Sequence, residues 1–159
     1  VKKPKTPSYC KMRYISFHTG VLESVAFNSL TLSEIKIFIY IWSCLQWTTT
    51  KVNKKKTWVV RNNGQIEIDS AKMRKKLGIC KATCTNGIHK LIKVGFITLT
   101  RVGGNRVCHM YKILYQVVLE REERWRKFPE KNWEDECPKA PDNLIGKGSR
   151  FKTHPNKLD

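Results

Sequence analysis

A chain of 159 residues with 40% apolar side chains, including five Trp, five Tyr and six Phe, carries enough apolar surface for one core, which excludes a disordered chain, and too little length for two comfortable domains. Its 31 Lys and Arg stand against 13 Asp and Glu, a formal net charge of +18, and self-repulsion of that size points to a polyanionic partner. The surplus is uneven, because residues 1–114 hold 21 Lys/Arg and 4 Asp/Glu whereas residues 115–159 hold 10 and 9.

Residues 1–15 are basic, contain Pro4 and Pro7, and read as an arm without the apolar run of a signal peptide. In 16–30, Val21, Leu22, Val25, Phe27 and Leu30 fall at mostly helical spacing and predict a short helix. Thr31-Leu32-Ser33-Glu34 is a capping box, in which hydroxyl and carboxylate each satisfy an otherwise unpaired amide. Behind it, Leu32, Ile35, Phe38, Ile39, Trp42 and Leu45 form a wide apolar stripe, which predicts a helix buried on most sides. The greasiest run, IKIFIYIWSCLQW, has thirteen residues. A bilayer needs about 20.

Lys54, Lys55 and Lys56 read as a charge cluster in a loop. Trp58-Val59-Val60 and Gln65-Ile66-Glu67-Ile68 flank Asn62-Asn63-Gly64, a turn pattern that suggests a hairpin and a strand ending at Ile68. Asp69 is a good N-cap for a helix through Leu77, with Met73 and Leu77 facing inward. Gly78 sits where a left-handed residue ends that helix, Ile79 plugs the corner, and a second helix begins near Lys81. Cys84, Ile88 and Leu91 then form one apolar stripe that leaves Thr85, Asn86, His89 and Lys90 outside. Gly87 costs that helix ~1 kcal/mol relative to Ala, which close approach to the preceding helix would offset. Gly95 ends it, and Phe96 to Val102, the turn Gly103-Gly104-Asn105 and Arg106 to Ile113 read as a β-hairpin.

In 120–136 acids and bases alternate around Trp125, Phe128 and Trp133. The plain reading is a helix whose aromatics pack back on the domain; the sharper one is a dimerisation or docking segment. From Pro138 onward the chain is rich in Pro, Gly and Lys and reads as irregular. The organisation expected is therefore an arm (1–15), one domain (16–115) and an extension (116–159).

The order helix, helix, strand, helix, turn, helix, hairpin resembles a winged helix-turn-helix domain over roughly residues 16–115. The residues that carry the likeness are Ile66-Glu67-Ile68-Asp69, then Leu77-Gly78-Ile79-Cys80-Lys81-Ala82-Thr83, then Leu91-Ile92-Lys93-Val94-Gly95-Phe96-Ile97. They are similar to the DNA-binding domains of phage and plasmid replication initiators and to small bacterial repressors. The fold so implied is mainly α with a small β-hairpin wing (α+β), preceded by N-terminal helices and followed by a C-terminal extension. Cys80 stands where such families usually have Ser or Thr, a poorer cap, and Asn86 where a longer polar residue is common.

The resemblance implies a second helix that enters a major groove. Lys81, Thr83, Thr85, Asn86, His89 and Lys90 would reach bases, and Ala82 or Thr83 a thymine methyl. Arg101, Asn105 and Arg106 at the wing tip suit a minor groove or phosphates. Lys72, Lys75 and Lys76, with Lys54, Lys55 and Lys56, would position the duplex through phosphates. An ordinary solvated helix face is the plain alternative for all of them.

The six cysteines have no CxxC and read as reduced thiols of a cytosolic protein; Cys80, Cys84, His89, Cys108 and His109 match no zinc module. Acids are scarce, and no nucleophile pairs with a matching His and acid, so no enzyme, metal or cofactor is expected. The leading expectation is a sequence-specific duplex-DNA binder of the cytoplasm and nucleoid, acting as a transcription regulator. Homodimerisation through the N-terminal helices or the extension stays open. The alternatives are a phage or plasmid replication-initiation or maintenance factor and, from another class, an adaptor or inhibitor that uses the same face on a protein. RNA binding is disfavoured, because no sheet with paired exposed aromatics is apparent.

Overall fold

The computed structural model describes residues 17, 19–52, 55–103, 107–115 and 122–138. The described chain is α+β, with five α-helices and two small antiparallel sheets around one core. The short helix expected over 16–30 is two, α1 (Thr19–Leu22) and α2 (Val25–Asn28). Ser24 divides them: its hydroxyl donates to the Val21 carbonyl (2.6 Å) and accepts from the Phe27 amide (3.1 Å), so it offers the backbone a cap in place of another helical turn.

The next helix, α3 (Leu32–Ser43), begins with the expected capping box: the Thr31 amide donates to Glu34 Oε2 (2.6 Å) and the Glu34 amide to Thr31 Oγ1 (3.4 Å). Its apolar stripe is rotated from the expected one. Ile37, Phe38, Ile41 and Trp42 are buried, while Leu32 and Ile39 are 69% and 39% exposed. From Ile35 to Trp42 the helix is apolar at every position but Lys36, so the pattern alone does not choose a face. Packing against the later helix α5 (Lys81–Lys93) does, because Ile37 lies over Gly87, where any Cβ would meet its side-chain tip. The close approach that Gly87 permits is thus to α3, not to the helix immediately before it.

A second correction concerns 47–68. The hairpin is formed by β1 (Trp47–Val52) and β2 (Lys55–Val60), paired from Trp47↔Val60 to Val52↔Lys55. Lys55 and Lys56 therefore stand in a strand rather than a loop, and Lys54 lies outside the described residues. β-branched Thr and Val with a Trp in each strand favour this ribbon. Asn62-Asn63-Gly64 does not close a hairpin, since β3 (Ile66–Glu67) pairs elsewhere. Instead both Asn side chains act as substitute backbone. Asn62 accepts from the Gln46 amide (2.8 Å) and donates to the Cys44 carbonyl (3.1 Å), which ties the ribbon's base to the end of α3.

α4 (Ser70–Leu77) starts at Asp69, whose carboxylate accepts from the amides of Ala71 (2.9 Å) and Lys72 (3.0 Å). Gly78 ends it at φ 66°, a left-handed conformation that a side chain disfavours, and donates to the Arg74 carbonyl. After α5 come β4 (Ile97–Arg101) and β5 (Met110–Ile113), and β3 completes a three-stranded sheet in the order β3-β5-β4. The hairpin is shorter than the sequence suggests. β5 begins at Met110 rather than Arg106, and the register shifts between Leu99 and Arg101. The His109 ring explains part of this, because its Nδ1 accepts the Gly103 amide (2.9 Å) where a strand partner would otherwise stand.

Phe38, Trp42, Phe96, Tyr115 and Trp125 form the aromatic heart of the core, with ring centroids 5.1 Å apart for Phe38–Phe96 and for Trp42–Tyr115. Residues 122–138 are not the α-helix expected of the tail but two 3-10 turns, Arg124–Lys127 and Glu134–Glu136. Their aromatics do pack back, with Trp125 3% exposed. The strap they form lies close against the end of α5: a Cβ on Gly95, at φ 85°, would stand 2.7 Å from Arg124 Cβ and 3.0 Å from the Trp125 amide.

Candidate nucleic-acid interface

The α4–α5 corner presents the residues the sequence singled out. Lys81, Ala82, Thr85 and Asn86 are exposed on the first two turns of α5, and Thr83 is half-buried. Cys80 is a working N-cap despite its sulfur: Sγ accepts the Thr83 amide (3.4 Å) and lies 3.1 Å from Thr83 Oγ1. The Thr83 hydroxyl, and then its amide, hold the exposed Cys80 thiol below its ordinary pKa, whereas burial pushes the Cys84 thiol up.

α4 adds the exposed cations Lys72, Lys75 and Lys76, with Lys76 5.4 Å from the Tyr40 ring centre. Among the described residues no ion pair reaches these three or Lys81. The nearest acid in sequence, Asp69, is turned onto the amides of its own helix. Among the described residues the corner is therefore a basic edge that no acid neutralises, with an amide-rich helix start on it.

His89 and Lys90 do not belong to that open face. The strap covers them: Cys137 Sγ donates to the His89 carbonyl (3.6 Å), and Lys90 Nζ sits 5.5 Å from the Phe128 ring centre. One turn further, Lys93 pairs with Glu134 (2.9 Å) and its carbonyl accepts the Trp133 amide (3.0 Å). The outward side of α5 is thus divided between an open basic start and a covered, acid-faced end. Arg101 is also placed differently from the expectation. It lies at the end of β4, paired with Glu67 (3.2 Å), rather than on a free wing tip. Asn105 and Arg106 lie outside the described residues.

Lys56 is exposed, but on the β1–β2 ribbon, and it belongs to a surface the sequence reading missed. The ribbon's pairing puts Trp47 and Trp58 on one face, 45% and 63% exposed. The signal was present in the β-branched run between the two indoles.

The residues considered for zinc have separate tasks: Cys80 caps, Cys84 is in the core, and His109 holds Gly103. Among the described residues no group of three or more His, Cys, Asp or Glu could hold a metal ion, and no helix is long and apolar enough to cross a membrane. Comparison with protein-family models, curated proteins and solved structures finds no match. A functional assignment rests on the chemistry of these surfaces alone.

Proposed function

We propose that this chain is a non-enzymatic, sequence-specific binder of duplex DNA, built as a winged helix-turn-helix and acting as a transcription regulator. The observation that carries the reading is the open start of α5, where Lys81, Ala82, Thr85 and Asn86 are exposed beside Lys72 and Lys75 of α4, which form no ion pair among the described residues. A helix held at a steep corner by its neighbour can place such a start in the major groove, which admits one helix. Asn86 supplies the donor and acceptor that adenine N6 and N7 require, a discrimination of about 1–3 kcal/mol. Lys72, Lys75 and Lys76 supply phosphate contacts, which fix position without reading sequence.

The succession β3, α4, α5, β4, β5, which follows α3 and the β1–β2 ribbon, and the strand order β3-β5-β4 accord with a winged arrangement. Selection of bound duplexes from a random library tests the proposal, and the expected result is a short consensus containing adenine. Uniform recovery of all sequences, or no retention at moderate salt, overturns it.

A further inference from the structure

The β1–β2 ribbon combines features that do not arise from packing. Trp47↔Val60, Thr49↔Trp58 and Lys51↔Lys56 are successive pairs on one face, because side chains alternate along a strand. That face therefore carries two indoles on a diagonal and two lysines directly opposite each other. Val60 rests on the core at the base, while Thr49, Lys51, Lys56 and both indoles are exposed. Among the described residues neither indole meets another ring or a cation, unlike Trp125 and Trp133.

Each feature has a cost. Like charges directly opposite across a strand pair are destabilising. Exposed Trp side chains keep apolar area in water. Lysines alone would be an ordinary defence of a sheet edge against unwanted pairing, but that leaves the indoles unexplained. A ligand with flat apolar faces joined by anions satisfies both pairs together. Residues 47–61 contain no acid, so nothing in the segment opposes an anion. A protein partner fits less well, because the indoles alternate with Thr and Lys and form no continuous apolar patch.

We infer that this ribbon face binds unpaired nucleic acid, with bases stacked on Trp47 and Trp58 and phosphates at Lys51 and Lys56. Base–aromatic stacking combined with a basic track is how single strands are held without sequence preference. The surface is separate from the α5 start. A duplex reader that also grips melted strands can hold one strand of a locally opened site beside the duplex it reads.

The test uses the full chain and fluorescence anisotropy on three probes: an unstructured DNA strand, an RNA strand of the same sequence, and the corresponding DNA duplex. Trp47→Ala/Trp58→Ala removes two stacking platforms and is expected to lose roughly 30-fold or more in affinity for the strands, with Trp47→Phe/Trp58→Phe losing far less and duplex affinity changing by under about twofold. Lys51→Gln/Lys56→Gln should lower the slope of log affinity against log salt by about 1.4 on the strands, or about 0.7 per phosphate contact. Comparison of the DNA and RNA arms tells which sugar the site accepts. Circular dichroism of each variant establishes that it is folded, and the Phe and Gln pairs keep the ribbon's own β-propensity and polarity.

Unchanged strand affinity in the Trp→Ala pair overturns the inference, as do equal losses on strand and duplex. A change in sedimenting mass with strand affinity intact also overturns it, and assigns the face to a second copy of the chain. Asn86→Ala acts on the duplex arm alone. Failure of the duplex reading would therefore leave the strand arm, and this inference, standing.

Discussion

The side chain of Asn63 bonds to both backbone groups of Ile113, accepting its amide at 2.8 Å and donating to its carbonyl at 3.0 Å. It pairs with β5 as a strand residue would, at the point where β3 is too short to do so. Asn63→Ala should cost about 1–3 kcal/mol, since it strands two backbone groups beside a buried side chain. Asn63→Asp keeps the accepting half and should lie between, both read from urea unfolding at neutral pH.

Two substitutions separate reading from positioning at the α4–α5 corner. Asn86→Ala should flatten preference among duplex sequences while leaving affinity for random duplex nearly intact. Lys75→Ala should weaken every duplex alike and lower the salt slope by about one unit. Anisotropy titrations at several salt concentrations measure both, and identical behaviour of the two variants would remove the assignment of roles.

Cys80 offers a chemical probe of the same corner. Its thiol is exposed and held below the usual range, so the attacking thiolate is present at lower pH than in a free cysteine. The pH midpoint for its alkylation should fall accordingly. Cys84 and Cys137, both pushed up by burial, should lag behind it. Mass spectrometry after brief iodoacetamide treatment resolves the three, and saturating duplex should protect Cys80 if the start of α5 lies against DNA. Cys80→Ser should abolish that modification and retain the cap.

The strap is held by its aromatic anchor rather than by its charges. Trp125→Ala should cost about 3–5 kcal/mol and uncover His89 and Lys90. Glu134→Gln breaks an ion pair whose side chains are 38% and 63% exposed, and should lower the melting temperature far less than Trp125→Ala. Gly95→Ala combines a left-handed φ with a clash against Arg124 and should cost at least about 1–3 kcal/mol. Thermal melts followed by circular dichroism rank all three.

Where a single residue dictates local geometry, the sequence was sufficient. Thr31 with Glu34, Asp69 and Gly78 each act within their own helix, and all three stand as expected. Where an outcome depends on a distant partner, it was not. The buried side of α3 depends on Gly87, about fifty residues later, and the role of Asn63 depends on Ile113. The open start of α5 was legible from its own periodicity. That the face ends at Asn86 depends on Phe128, Trp133 and Cys137, which no helical period can reveal.

Covering the last turns of α5 has a geometric outcome for any duplex the helix meets. A helix covered from His89 to Lys93 has only its first two turns to offer a groove. One tip reads about three base pairs, a word that recurs by chance about once in 64 positions. Finding one address among roughly a million therefore demands company, either a twin on an adjoining word or a second hold elsewhere on the same molecule.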